Sequence, residues 1–325
     1  MASGMDGAWW HDLRSGDIDE LALHLNAFQW RYDQLGAGRF SGHLAEVDLP
    51  HVAVFREQLS HSTRQIGTLP PGTIGLVVPW GHDGSLWVNG ACMTNAHIAL
   101  SDRAEVEFCT ASDCDYGFMT IDASVVEDAL GRMDTQMAPH LSRKVAIAQL
   151  PGDSGLALRQ LFALAHGSLG EVPQSLQADT ARRLLADQFV MELVEILSKA
   201  APAEEHNAVL RKRVVDRARD LMFGHPEEPL SVLDVCKHVG VSRRKLNYCF
   251  QEVLGTTPLA YMRAIRLNGV RREMLACADE DEGVYDIAAR WGFWHFGQFS
   301  TDYKHHFGEL PSHTLQRGRA GLVLR

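Results

Sequence analysis

From Phe28 to about Val125 the chain consists of short β-rich runs broken by turn residues: GAGRFSG, DLPHVAVF, LPPGTIGLVVPWGHDGSLWVNG and EVEFCTASDCDYGFMTI. Strand-forming runs punctuated at such short intervals predict an antiparallel sandwich or barrel. The pattern then turns to a helical period. A helix is expected from Leu156 to Ala165 and, beyond Pro173, a longer one from Leu176 to Ala200. In the longer one Leu185, Phe189, Leu193 and Ile196, flanked by Val190, Val194 and Leu197, make a wide apolar face. That face must be covered, either by a second copy of the chain or by the sheet of its own domain. The stretch SKAAPAEEHN, with Pro202 inside it, ends the helical pattern and reads as a linker. The expected organisation is an N-terminal segment 1–27, a β domain 28–125, a helical segment 126–200, a linker 201–206 and an all-α domain 207–325, which together make an α+β protein.

A helix from about Asn207 to Phe223 opens the last of these regions, and a repeat follows it. VLDVCKHVGVSRRKLNYCFQEVLGTTP begins at Val232, and VYDIAARWGFWHFGQFSTDYKHHFGELP begins at Val284. Val232, Val235 and Gly240 match Val284, Ile287 and Gly292 at an offset of 52. After one added residue, Leu246, Phe250, Gly255 and Pro258 match Phe299, Tyr303, Gly308 and Pro311 at 53. Apolar and glycine positions that stay in step over such a length mark a duplicated unit.

Each copy reads as a helix-turn-helix. In the first, a short helix closes at Gly240, and Ser242 caps a second helix whose Leu246, Phe250 and Leu254 face inward. The outward side carries Arg243, Arg244, Asn247 and Tyr248, near the end that such a helix presents to base edges in the major groove. Arginine suits guanine and asparagine suits adenine, because each can bond two groups at once. In the second copy the turn holds Trp291, Gly292 and Phe293. His295, Gln298 and Thr301 lie on the outer face, Phe299 and Tyr303 on the inner one, and Lys304 and His305 further on, near phosphate. A single helix from Pro258 to Ala276, carrying Arg263, Arg266, Arg271 and Arg272, joins the copies and sets their separation. Two units held in this way can enter successive major grooves of double-stranded DNA.

The net charge of −10 opposes nucleic-acid binding only if taken whole. Residues 1–200 hold 13 Lys+Arg against 25 Asp+Glu, a balance of −12, whereas residues 201–325 hold 18 against 16, a balance of +2. Only the C-terminal part is thus suited to phosphate. The six cysteines, at 92, 109, 114, 236, 249 and 277, lack the paired spacing of a zinc site or disulfide framework and read as reduced thiols. The first fourteen residues lack the basic start and apolar stretch of a signal peptide, so a cytoplasmic location is expected.

The double unit resembles the DNA-binding domain of the AraC/XylS transcription regulators. VLDVCKHVGVSRRKL, IRLNGVRREML and WGFWHFGQFSTDY, together with the N-terminal FQWRYDQLGAGRFSGHLAEVDLPHVAVFRE, are similar to the subgroup that contains the ethanolamine-utilisation operon activator. The resemblance implies a cupin-like β-barrel that binds a small-molecule effector, helices that form a homodimer, and activation of an operon through contact with RNA polymerase. It places DNA contacts on Arg243, Arg244, Asn247, His295, Gln298 and Thr301. Ethanolamine with adenosylcobalamin as co-effector, or another primary amine, would be sensed. A cationic head would call for aromatic faces and a carboxylate, which Trp30, Tyr32, Glu46, Glu57, Trp80 and Trp87 could supply.

The residues give little support to other classes. His43, His51, His61, His82 and His97 contain no H-x-H pair, so no metal and no resident cofactor are expected in the β domain. GDSGL, from Gly152 to Leu156, matches the serine-protease nucleophile segment, but it opens a predicted helix without the double β-barrel such a serine needs. Ser154 reads as a helix cap, and no enzyme is expected. An architectural DNA binder would not need an acidic upstream domain of some 200 residues. A regulator of an unrelated catabolic pathway remains the alternative.

Overall fold

A computed structural model of the chain describes residues 9–25, 28–80, 86–101, 105–132, 146–150, 153–167, 171, 173–199, 201–202, 206–224, 230–277, 279 and 281–321. His82 and Gly152 lie outside the described residues, as do 203–205 of the expected linker.

The β-rich region forms two antiparallel sheets. One holds, in spatial order, β1 (Trp10–Ser15), β3 (Gly42–Leu49), β4 (Val52–Leu59), β11 (Cys114–Asp122), β6 (Thr73–Pro79), β9 (His97–Ser101), β12 (Ala146–Gln149) and β13 (Ala201–Pro202). The other holds β2 (Arg31–Gln34), β5 (Thr63–Thr68), β10 (Glu105–Thr110), β7 (Leu86–Val88) and β8 (Ala91–Met93). Phe28, Tyr32, Leu44, Phe55, Phe108, Tyr116 and Phe118 fill the space between them. The sheet reaches beyond the expected 28–125. Trp10–Ser15 pairs with β3, so the described part of the N-terminal segment belongs to this domain, together with α1 (Ile18–His24). Ala201 and Pro202 of the expected linker pair with Gln149 and Ala148.

The outer face of the larger sheet is covered by α2 (Ala123–Arg132), α3 (Ser154–His166) and α4 (Asp179–Lys199). Of the two coverings left open for the long apolar helix, the structure shows the intramolecular one: Leu185, Phe189, Leu193 and Ile196 of α4 sit in one core with Val47, Val54, Leu76, Ile98 and Met119. Each such side chain removed from water stabilises by about 1.5–3 kcal/mol, so this face is spent inside the subunit. Ser154 does not cap α3 with its side chain; Asp153 occupies the cap position and Ser154 is buried in the first turn.

The C-terminal region is all helical: α5 (His206–Gly224), α6 (Val232–Val239), α7 (Arg243–Leu254), α8 (Pro258–Ala276), α9 (Val284–Arg290), α10 (Phe296–Phe307) and α11 (Pro311–Arg319). It has two cores, one for each repeat. Val235, Val239, Leu246, Phe250 and Tyr261 anchor the first, and Val270, Ile287, Phe299, Tyr303 and Leu315 the second. Gly269, in the middle of α8, is where the second unit docks. A Cβ there would stand 2.3 Å from the Trp291 ring. Trp291 also donates its indole N–H to Glu273 at 2.6 Å.

The outer face of the smaller sheet packs on this helical region. Asp33, Arg64 and Glu107 alternate with the inward residues of their strands and join an ion chain to α5 and α8. Arg272 meets Asp33 at 2.5 Å, Asp33 meets Arg64 at 3.2 Å, Arg64 meets Glu107 at 2.5 Å, and Glu107 meets Arg219 at 2.8 Å. No helix among the described residues is long and apolar enough to cross a membrane.

Candidate functional site

The first helix-turn-helix is built as its sequence dictates. A capping box between Ser231 and Asp234 starts α6, with the Asp234 backbone N–H donating to Ser231 Oγ at 3.2 Å and the Ser231 N–H to the Asp234 carboxylate at 3.3 Å. Gly240 ends it in the left-handed region at φ 75°, a conformation that only glycine adopts freely, and both its own N–H and that of Val241 return to Cys236 O. Ser242 Oγ then accepts from Lys245 N at 3.1 Å and launches α7. Leu246, Phe250 and Leu254 are buried, while Ser242, Arg243, Arg244, Asn247 and Tyr248 are exposed, with the Lys245 ammonium 5.3 Å from the Tyr248 ring centre. Together these side chains make α7's outer face polar and exposed.

The second unit repeats the layout with less regular capping. Gly292 turns the chain at φ 79°, and His295 holds the cap position of α10 without a side-chain bond. His295, Gln298, Thr301, Lys304 and His305 are exposed, and Phe299 and Tyr303 are buried. Two of the expected readers are occupied within their own helix. Gln298 donates to Asp302 at 2.8 Å, and the Thr301 hydroxyl donates to the Gly297 carbonyl at 3.0 Å. Asp302 is itself ion-paired with Arg263. Trp294 and Phe296, which flank His295, are exposed aromatics that the sequence reading passed over, and Phe296 meets the exposed Tyr285 ring edge-on. Their signal was present, since Trp291, Phe293, Trp294 and Phe296 crowd one turn, more than a small core buries.

The linking helix is less available to phosphate than its four arginines suggested. Arg271 is buried between Asp17, Asp19 and Glu309, Arg272 is tied to Asp33, and Arg263 to Asp302. Arg266 is buried, with Nε and Nη2 unpartnered, and burial lowers its pKa.

The six residues named for an amine effector do not converge. Tyr32 and Glu57 do meet. Glu57, fully buried, accepts from Tyr32 at 2.8 Å, from Gln65 Nε2 at 3.0 Å and from the Tyr116 hydroxyl. Burial pushes the Glu57 carboxyl up, and its two oxygens already accept from three neighbouring donors, so it is held within the core. Glu46 faces His24 at 3.3 Å. Trp80 lies under the Arg56 guanidinium at 4.6 Å, and Trp87 packs on Gly255 of the helical domain. Trp30 alone of the six lines the pocket between the two sheets. Residue type marked these side chains, but strand register, which the sequence does not give residue by residue, sends them to different faces.

Residues 235–317 match the model of a family described as "Helix-turn-helix domain". The chain is similar to the probable thc operon regulatory protein of Rhodococcus erythropolis, with 43% identity over 103 residues, 32% of this chain and 31% of that one. It is also similar to XylDLEGF operon transcriptional activator 1 of Pseudomonas putida, with 38% identity over 77 residues, 24% of this chain and 23% of that one. This chain therefore spans less than a third of the length of either relative. Among solved structures it is similar to a transcriptional regulator with an AraC-type DNA-binding domain from Chromobacterium violaceum, at 32% identity and a TM-score of 0.31, covering 34% of this chain and 96% of that one.

Proposed function

We propose, from a C-terminal domain of the AraC/XylS helix-turn-helix type, that the whole chain is a transcription regulator that holds promoter DNA with two recognition helices and answers a small molecule through its β domain. One observation carries the reading: α7 and α10 each stand on a buried apolar face and turn an exposed polar one outward, and α8 joins them as one rigid spacer. Arg243, Arg244 and Asn247 of the first unit, with His295, Gln298 and Thr301 of the second, would meet DNA, and Lys304 would meet phosphate. Activation of an operon fits the P. putida relative's name, and a catabolic operon reached through RNA polymerase is what the sequence resemblance implies. The chain acts as a regulator rather than an enzyme, and it needs no resident cofactor.

A homodimer is part of the reading, although the α4 face first considered for it is occupied. An amine effector such as ethanolamine draws support from the domain's acidic balance and from the sequence resemblance, but the buried acids described above are already partnered. Adenosylcobalamin as a co-effector rests on the sequence resemblance alone.

The test is fluorescence anisotropy of the full chain on a site recovered by in vitro selection against a scrambled duplex of equal length and salt. Preference for the selected site of 1000-fold or so is the expected range for specific recognition. Equal affinity for both duplexes overturns the reading.

A further inference from the structure

The duplication lets the two recognition helices be compared position by position. Each is 12 residues long, Arg243–Leu254 in α7 and Phe296–Phe307 in α10, and each stops at a left-handed glycine, Gly255 and Gly308. Ser242 and His295 hold the two cap positions, so the helices are in register at an offset of 53. At that offset Phe296 stands where the first unit has Arg243, and Gly297 where it has Arg244. The outer face of α10 is polar further along. Its first three residues, Phe296, Gly297 and Gln298, are all exposed, and none carries a charge.

Nothing inside the subunit accounts for either replacement. Phe296 leaves 43% of its surface in water, beside Tyr285, whose ring lies 6.1 Å away and is itself 52% exposed. Trp294, 57% exposed, is the residue by which the second turn is longer, since Val241 and Phe293 both pack against their own cores. Exposed aromatics gathered at one place mark a surface that meets a partner. Gly297 is not in the left-handed region, and a Cβ on it would meet nothing within 4 Å. Glycine weakens a helix relative to alanine, so neither backbone geometry nor packing within the chain calls for it there. A bare first turn does suit close approach of a ligand to the backbone.

We infer that the second unit selects thymine, through contact of the Phe296 ring with the thymine 5-methyl group in the major groove. The inference rests on the regulatory reading above and names what its second recognition helix prefers. Thymine is the one base that shows the major groove an apolar group, and phenylalanine is among the side chains that meet it. A phenyl ring has no donor or acceptor for the edges of guanine, adenine or cytosine, and no charge for phosphate. The hydrogen-bonding side chains on the same face are engaged within the helix, Gln298 with Asp302 and Thr301 with the Gly297 carbonyl. The two units therefore read by different chemistry. The first offers hydrogen bonds from Arg243, Arg244 and Asn247, and the second offers an apolar surface brought close by the bare backbone of Gly297.

Deoxyuridine differs from thymidine by that methyl alone, so the contact can be tested atom for atom. Each thymine of a site recovered by in vitro selection is replaced in turn by deoxyuridine, and binding of the full chain is read by fluorescence anisotropy at one salt concentration. At one thymine or more the replacement should weaken the wild-type protein about fourfold, the worth of one buried methyl. At the same position Phe296→Ala should bind the two duplexes alike, and Phe296→Leu, smaller but still apolar, should keep a preference for thymine. Thymine and deoxyuridine bound alike by the wild-type protein at every position would overturn the assignment. So would a methyl effect that survives undiminished in Phe296→Ala. If that variant does not fold, the wild-type series together with Phe296→Leu decides. Equal affinity for selected and scrambled duplexes would remove the regulatory reading as well, whereas a preferred site indifferent to the methyl removes the thymine assignment and leaves the regulator.

Discussion

Gln34 and Asn268, 234 positions apart, complete each other's hydrogen bonds as two paired strands would. The Gln34 backbone N–H donates to Asn268 Oδ1 at 2.9 Å, and Asn268 Nδ2 donates back to the Gln34 carbonyl at 2.7 Å. The same carbonyl meets His306 Nε2 at 2.9 Å, and Gln34 Nε2 donates to the His306 carbonyl at 2.8 Å. The end of β2 is thereby held by the linking helix and by the last turn of the second recognition helix at once. The β domain thus grips the linking helix and the second helix-turn-helix unit through one strand end.

Replacing Asn268 by alanine leaves the Gln34 N–H buried without a partner, while its carbonyl keeps His306. The expected loss is about 1–3 kcal/mol, the penalty for one unsatisfied buried group. Urea unfolding of the full chain measures it. A change indistinguishable from zero would mean that water reaches Gln34 and that the grip is weaker than its geometry.

Arg271 makes a stronger case. Its guanidinium meets Asp17 at 2.8 Å and Asp19 at 3.0 Å, also pairs with Glu309, and lies 5.0 Å from the Phe307 ring. Burial would raise the pKa of Asp17, but Arg271 and Arg317 outweigh it and hold the carboxyl below its usual range. Burial prevails at Asp19, which is pushed up. Arg271→Met should destabilise the chain by ~3–5 kcal/mol, because it strands buried carboxylates. Lys199→Ala, which breaks the exposed pair with Glu195 at 2.7 Å, should change stability by less than ~0.5 kcal/mol. Comparable losses in both would show that burial does not govern these ion pairs.

The contrast between these two pairs shows what the sequence could and could not disclose. The helix-turn-helix units were legible because local rules write them: Gly240 and Gly255 end helices in the left-handed region, Ser242 and Thr257 cap the next ones, and the spacing repeats. The expected linking helix, Pro258 to Ala276, matches the observed one end to end. The interdomain surface was not legible, because Asp33, Arg64 and Glu107 look like any solvated outer face of a strand. Only the fold reveals that α5 and α8 cover them. The covering of α4 escaped for a related reason, because its apolar stripe is equally suited to a sheet or a second subunit.

The DNA-facing assignments separate by chemistry. Arg244, exposed in the first turn of α7, should read a guanine, so Arg244→Ala should weaken binding to the selected site by ~1–3 kcal/mol and relax preference at one position. Lys304, exposed near the end of α10, should touch phosphate, so Lys304→Ala should weaken selected and random duplexes alike and reduce the salt slope by about one. The measurement is anisotropy on both duplexes across a salt series. Equal losses on the two duplexes for Arg244→Ala would remove it from the base-reading set and leave it a phosphate contact.

Two buried histidines set the response to acid. Burial, with the Arg56 charge adding to it, pushes His166 from its ordinary value near 6.5 down to about 3, and burial pushes His306 down to about 4. Between pH 6.5 and about 4 the unfolded chain binds protons at these positions that the folded chain refuses. Stability is therefore full above that window and falls as the pH drops through it. His166 lies 6.4 Å from the Phe162 ring centre, stacked, with neither ring nitrogen partnered. Phenylalanine fits the same slot without a polar atom to bury, so His166→Phe should stabilise the chain by about 1 kcal/mol at pH 7.5. It should also remove up to about 1.4 kcal/mol per pH unit from the slope below pH 6.5, one proton's worth. Urea midpoints at pH 7.5, 6 and 5 decide it. An unchanged slope would mean that His166 is protonated in the folded state after all, paired with Asp115 and no longer buried as a neutral ring.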